Sequence, residues 1–147
     1  MTTDEFLSWA TTRGVKLLPK IQMGEIASAN LTIQHQRIAM MPISLMNFYQ
    51  NIAGGAYLGN AYIFGIADSK ESGQTTYEIP GIISVNRELS GLQAVTGRTI
   101  FGRNDLFWFG FDAFGKFYML NNINLKPVRQ YDDLYRAMTD CLAIGKI

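Results

Sequence analysis

One stretch of the chain is apolar enough to seed a core, and its alternation is legible. Residues 106–120 read Leu-Phe-Trp-Phe-Gly-Phe-Asp-Ala-Phe-Gly-Lys-Phe-Tyr-Met-Leu and hold five of the nine Phe. Two β-rich runs flank Asp112-Ala113-Phe114-Gly115. An Asp opening a type I turn, with Gly115 left-handed at its close, predicts a three-residue hairpin loop. Asp112 then faces Lys116, Phe111 faces Phe117 and Phe109 faces Met119. Side chains alternate along a strand, so Phe107, Phe109, Phe111, Phe117 and Met119 share the face expected to form the core. The second face carries Leu106, Trp108, Tyr118 and Leu120, greasier than a solvated surface requires.

The remaining pattern places further elements around this hairpin. Thr2-x-x-Glu5 is a capping box opening a helix with Phe6, Leu7, Trp9 and Ala10, which ends near Gly14. Residues 15–20 read as extended, and Pro19 stops any helix there. A partial stripe of Ile26, Ala27, Ala29, Asn30 and Ile33 predicts a helix over 24–36. After Pro42, Leu45, Phe48, Tyr49 and Ile52 recur at the spacing of one buried helical face, and Gly54-Gly55 is expected to terminate that helix. A turn and a strand around Tyr62-Ile63-Phe64 follow, then a polar loop over 68–76. Short β-type runs at 77–79 and 82–85 flank Pro80-Gly81, and 86–92 reads as a helical turn. Strands are expected at 99–102 and 125–128. The Asn104-Asp105 turn would set Phe101 beside Trp108 on the second face. Tyr131, Leu134, Tyr135, Met138, Cys141 and Leu142 mark a last helix, closed by Gly145-Lys146. Asp132 and Asp133 lie at its N-terminal end, with Arg136 expected to pair with Asp132 and Asp140.

Composition narrows the class. A chain of 147 residues, 48% hydrophobic and 17% charged, is expected to fold as one domain over 1–147. The net charge of +1 comes without a basic stripe or polybasic cluster, so neither nucleic acid nor a membrane surface is the expected partner. The first residues lack the basic flank and apolar run of a signal peptide. No apolar run nears the roughly 20 residues that cross a bilayer. With Cys141 the single cysteine, the cytoplasm is the expected compartment.

Candidate chemistry is thin. Gly110 to Lys116 mimics a phosphate loop, but Phe117 stands where Ser or Thr must bind the metal, and a strand follows instead of a helix. Gly54-Gly55-x-x-x-Gly59 follows a helix and so cannot cradle phosphate on a helix N-terminus. His35 and Cys141 could form a nucleophilic pair on paper, yet Cys141 falls on the apolar stripe of the last helix. One His and one Cys do not make a zinc site. Asp132, Asp133 and Asp140 read as a solvated helix face. No catalytic, metal or cofactor-binding residues are therefore assigned. The hairpin's second face, Phe101, Leu106, Trp108, Tyr118 and Leu120, has two readings: cover by an N-terminal helix, or a partner-binding patch.

Met41-Pro42-x-x-Leu45-x-x-Phe48-Tyr49-x-x-x-x-Gly54-Gly55, followed by Ile63-Phe64-Gly65, resembles the entry motif of the SUKH superfamily, the Smi/Knr-like proteins. Thr99-Ile100-Phe101-Gly102, Asp112-x-x-Gly115-Lys116 and Tyr131-x-x-Leu134 continue the resemblance across residues 24–144. Met41 replaces the usual Leu, a conservative apolar change. The resemblance implies an α+β fold, with a mainly antiparallel sheet of about five or six strands and helices packed around it, residues 1–20 being an N-terminal helical extension. It also implies a non-enzymatic immunity protein that binds a cognate polymorphic toxin. A monomer or weak dimer without a cofactor is expected. A regulatory or scaffolding module of the same fold is the alternative, and a small hydrolase a third reading. The expected contacts are Trp108, Tyr118, Arg103 and Asp105, with Lys70 and Glu71 behind them.

Overall fold

In the computed structural model, the described residues are 1–67, 69–72, 76–89 and 97–143, with only the backbone of 69–72 and 76–79. They form an α+β fold built on a seven-stranded antiparallel sheet. In chain order the elements are α1 (Thr3–Arg13), β1 (Lys16–Leu17), α2 (Met23–His35), α3 (Ile43–Asn51), β2 (Ala56–Leu58) and β3 (Ala61–Ile63). Then come β4 (Ser69–Ser72), β5 (Thr76–Ile79), α4 (Ile82–Leu89), β6 (Arg98–Arg103), β7 (Phe107–Asp112), β8 (Phe117–Asn121), β9 (Pro127–Tyr131) and α5 (Leu134–Ala143). The sheet order is β1-β2-β3-β6-β7-β8-β9, a meander interrupted by the separate β4-β5 hairpin and α4.

The central hairpin has the expected register, with Phe111 opposite Phe117 and Phe109 opposite Met119. Gly115 is left-handed at φ 77°, and Asp112 N–H donates to the Lys116 carbonyl at 3.0 Å. The Phe face is the core: Phe109 and Phe111 are fully buried and Phe117 nearly so. Helix α5 lies across β3, β6, β7 and β8 on that face, with the Cys141 thiol seated over Gly102. Helices α1, α3 and α5 meet through Phe6, which stacks on Tyr135 at 5.0 Å and meets Phe48 edge-on at 6.2 Å.

Residues 1–20, expected as an extension, supply Phe6 to the core and the β1 edge to the sheet. Thr2 caps α1 as its sequence predicts, accepting from Glu5 N–H at 3.1 Å, and Gly14 ends it at φ 75°.

Gly54-Gly55 is not a helix stop. Helix α3 already ends at Asn51, with Ile52 as its cap. The glycines sit where backbones cross: a Cβ on Gly54 would lie 2.2 Å from the Pro19 carbonyl, and one on Gly65 2.4 Å from the Gly54 carbonyl. Leu18 exchanges hydrogen bonds with Gly54 and Gly55 in the same crossing. Buried Tyr49 closes the unit by donating its hydroxyl to the Phe64 carbonyl at 2.5 Å.

Two other expectations change. Residues 82–85 begin α4 rather than a strand, burying Ile82, Val85 and Asn86. The expected polar loop over 68–76 contains β4, paired with β5. The expected end of the last helix at Gly145-Lys146 and the close of the helical turn at 90–92 lie outside the described residues.

Asn86 does the work of a missing strand. Where β3 leaves β6, its amide accepts from Ile100 N–H at 2.8 Å and donates to the Ile100 carbonyl at 2.8 Å and the Ile82 carbonyl at 2.7 Å. Immediately afterwards the β6–β7 register shifts between Ile100 and Gly102. This bulge turns Phe101 into the core, against Phe111 at 6.0 Å and Phe117 at 5.8 Å. Phe101 therefore does not sit beside Trp108. Arg103 takes that place.

Candidate functional site

The second face of the hairpin is topped by guanidinium groups rather than by an N-terminal helix. Arg103 faces Trp108 across the β6–β7 ladder and lies over its ring at 5.4 Å. Arg98 lies over Tyr118 at 4.9 Å. Trp108 and Tyr118 are half-buried, and Leu120, opposite Trp108, is fully buried beneath them. Such cation–π pairs contribute about 0.5–1 kcal/mol each at exposed sites.

Asp112 fixes the Tyr118 end. Its carboxylate accepts from the Tyr118 hydroxyl at 2.8 Å, Phe114 N–H at 2.9 Å and Lys116 N–H at 3.1 Å. Burial alone would raise the Asp112 pKa. The Tyr118 hydroxyl, the two backbone N–H groups and the charge of Arg98 outweigh it and hold the carboxyl below its usual 3.8. The same hydrogen bond is the main reason the Tyr118 hydroxyl titrates above its ordinary value. Lys116 does not pair with Asp112 through its side chain; its ammonium bonds Asp132.

Asn104 fixes the opposite end. Nearly buried, it accepts from Leu106 N–H at 2.9 Å and Phe107 N–H at 2.8 Å, and donates to the Cys141 carbonyl of α5 at 3.0 Å. It thereby orients Arg103 and Asp105 on either side of it. The β8–β9 loop joins this end, because Asn122 donates to the Asp105 carbonyl at 3.1 Å. Leu125 closes that loop at φ 58°, a left-handed conformation costing a branched side chain about 1–2 kcal/mol. The loop holds Ile123 out at 89% exposure, and Leu106, next to Asp105, is 50% exposed.

Four of the six residues singled out from sequence, Arg103, Asp105, Trp108 and Tyr118, thus lie along one face and end of the sheet. Lys70 and Glu71 fall on β4 in the separate hairpin, and their side chains lie outside the described residues. Ile123 was not read from sequence, and Asn104 was read only as a turn residue. Nothing local in the sequence reveals that Ile123 points outward.

The other chemical candidates are placed apart from this face. Cys141 is fully buried, its thiol 3.5 Å from the Tyr62 carbonyl, and burial pushes its pKa well up. That is the reverse of an activated nucleophile. His35 is exposed in the last turn of α2. Asp140 accepts from the Tyr131 hydroxyl at 2.5 Å and from Arg129 at 2.9 Å. Asp133 accepts from Tyr135 N–H at 3.2 Å and lies 3.9 Å from Arg136. The expected ladder of Asp132, Arg136 and Asp140 does not form: Asp132 precedes α5, which starts at Leu134, and pairs with Lys116, while Asp140 turns to Arg129 and Tyr131. Among the described residues no group of three or more His, Cys, Asp or Glu could hold a metal ion, and no helix is long and apolar enough to cross a membrane.

Compared with models of known protein families, with curated proteins and with solved structures, the chain matches none.

Proposed function

We propose that the chain is a non-enzymatic immunity protein of the SUKH type, which binds a cognate polymorphic toxin in the cytoplasm and blocks it. The observation that carries this reading is the Arg103–Trp108 and Arg98–Tyr118 face. Trp, Tyr and Arg are the residues from which interface hot spots are built. Here each guanidinium already rests on a ring, so docking freezes less side-chain freedom than it would for a loose arginine. Asp105, Leu106 and Ile123 supply a mixed rim at one end.

The family part of the reading is supported by how its motif residues meet. Tyr49 bonds the Phe64 carbonyl, and Gly54 and Gly65 cross backbone on backbone. Residues matched as a string in sequence therefore form one physical unit, each needed by the next.

The test is capture of the product of the neighbouring gene by the purified chain, followed by calorimetry. Trp108→Ala and Arg103→Ala should each weaken the complex about tenfold or more, or about 1.4 kcal/mol, and should release the toxin's activity. Absence of a complex would remove the toxin reading. Capture of a housekeeping protein through the same two residues would instead favour the regulatory or scaffolding module.

A further inference from the structure

Resting on the toxin reading, we infer that the partner surface seated on the second face is acidic, and that one cross-strand row from Lys16 to Trp108 receives it. Residues directly opposite one another in neighbouring strands point to the same face, so the row can be followed through the register. Lys16 faces Tyr57, Tyr57 faces Tyr62, Tyr62 faces Arg103 and Arg103 faces Trp108. It crosses β1, β2, β3, β6 and β7, roughly 19 Å at about 4.8 Å between strands. The aromatic–guanidinium face thus extends past β6 to the β1 edge. Lys16 is exposed there, and Tyr57, Tyr62, Arg103 and Trp108 are half-buried.

Charge identifies the occupant. By the same register, the described strands of this sheet place three cations on this face, Lys16, Arg98 and Arg103, against one carboxylate, Asp112. Asp112 is engaged within the hairpin, by the Tyr118 hydroxyl and two backbone N–H groups, and feels the charge of Arg98. In the connections, Lys116 is neutralised by Asp132, and Asp105 and Lys126 are exposed with opposite signs. Lys16 and Arg103 are left over. Among the described residues neither has a carboxylate partner, whereas Arg129 and Arg136 are paired with Asp140 and Asp133. Two uncompensated positive charges, three strand spacings or roughly 14 Å apart, complement a surface that carries carboxylates.

The state of the rings selects acidic protein over single-stranded nucleic acid. Nucleobases bind sheets of this kind by stacking on open aromatic faces. Here Arg103 lies over the Trp108 ring at 5.4 Å and Arg98 over the Tyr118 ring at 4.9 Å. A base would have to displace a guanidinium to reach either ring. A guanidinium resting on a ring still offers N–H groups, and these take a carboxylate two bonds at a time. Arg103 is therefore held ready for a carboxylate, and Lys16 adds a point charge farther along the row.

Amide NMR of the full chain tests this, with polyglutamate titrated at low salt and oligothymidylate of similar length in parallel. Polyglutamate should shift the amides of Lys16, Tyr62, Arg103 and Trp108. The shifts should vanish as salt shortens the Debye length from about 30 Å to about 3 Å. Lys16→Glu and Arg103→Gln should each weaken polyglutamate binding about threefold, and Arg37→Glu, between α2 and α3, should not. Lys16 is exposed in a two-residue strand, so Lys16→Glu should leave circular dichroism unchanged. With the product of the neighbouring gene, Lys16→Glu should weaken the complex chiefly through slower association. No shift, shifts at Lys20, Arg37 or Lys126 in place of the row, or tighter binding of oligothymidylate than of polyglutamate would overturn the inference. A toxin complex indifferent to salt and to Lys16→Glu would also overturn it, with the proposed function left standing. Polyglutamate binding along the row without any toxin complex would remove the toxin reading and keep an acidic partner.

Discussion

Asn86→Ala removes the side chain that stands in for a strand along β6, and its cost can be worked from the bonds it breaks. The amide is 4% exposed and satisfies both Ile100 N–H and the Ile100 carbonyl, each at 2.8 Å. Truncation leaves both groups buried without partners, at about 1–3 kcal/mol each. The sum, roughly 2–6 kcal/mol, is a large part of the 5–15 kcal/mol typical of a whole domain. Asn86→Asp is the sharper variant. It keeps an acceptor for Ile100 N–H but turns a second carboxylate oxygen toward the Ile82 and Ile100 carbonyls. Burial and those carbonyls favour the protonated acid, so the carboxyl of that variant should titrate above its unfolded value. A carboxyl with a raised folded pKa lends most stability at low pH and loses it as pH climbs through that pKa. Urea denaturation followed by Trp fluorescence, at pH 4 and pH 7, reads both effects. If Asn86→Ala costs less than ~1 kcal/mol, or if Asn86→Asp is equally stable at both pH values, the strand-substitute argument is wrong. Because the bulge next to Ile100 aims Phe101 inward and Arg103 onto Trp108, both variants should also lower partner affinity.

Other outcomes follow from single features. Gly54→Ala should destabilise by more than ~2 kcal/mol in the same denaturation assay, because its Cβ meets the Pro19 carbonyl at 2.2 Å. Gly24→Ala, in the first turn of α2 with nothing near its Cβ, should stabilise by about 0.5–1 kcal/mol. Asp112 has a depressed folded pKa, so its contribution is present above the unfolded value and is lost as pH falls through the folded one. Asp112→Asn should therefore flatten the acid limb of stability against pH below about pH 4. Cys141 should resist thiol reagents in the folded protein and react fully in denaturant; rapid labelling of the native chain would contradict its burial.

What was legible in the sequence was what local chemistry decides. The Asp112 and Gly115 positions fix a hairpin register, and alternation about it assigns the Phe core and the Trp108–Tyr118 face together. Helix α4 was hidden because Ile82, Ile83 and Val85 are β-branched, although Ile82, Val85, Asn86 and Leu89 do keep helical spacing. Packing against β6 and the Asn86 bonds override the propensity. Strand β4, Ser-Lys-Glu-Ser, shows no apolar alternation, and only pairing with β5 makes it a strand. Phe101 was put on the wrong face because a bulge shifts parity and is held from 14 residues away in sequence. The glycines after α3 looked like a terminator because the segment they cross, Leu18 to Ile21, lies far upstream. In the candidate site the ladder residues were readable, whereas Asn104 and Ile123 depend on how distant loops meet.

Helix α5 has a consequence for how the chain is made. It covers the Phe face, and its Cys141 reaches the Tyr62 carbonyl 79 residues earlier. Synthesis runs from the N-terminus at about 5–20 residues per second, so β6 to β8 emerge with their Phe side chains before their cover exists. During that interval the nascent chain presents the rings of Phe109, Phe111 and Phe117 to the cell, held only by hairpin pairing. The protein should therefore lean on chaperones during synthesis more than its size suggests, and truncation before Leu134 should yield aggregates rather than a smaller fold.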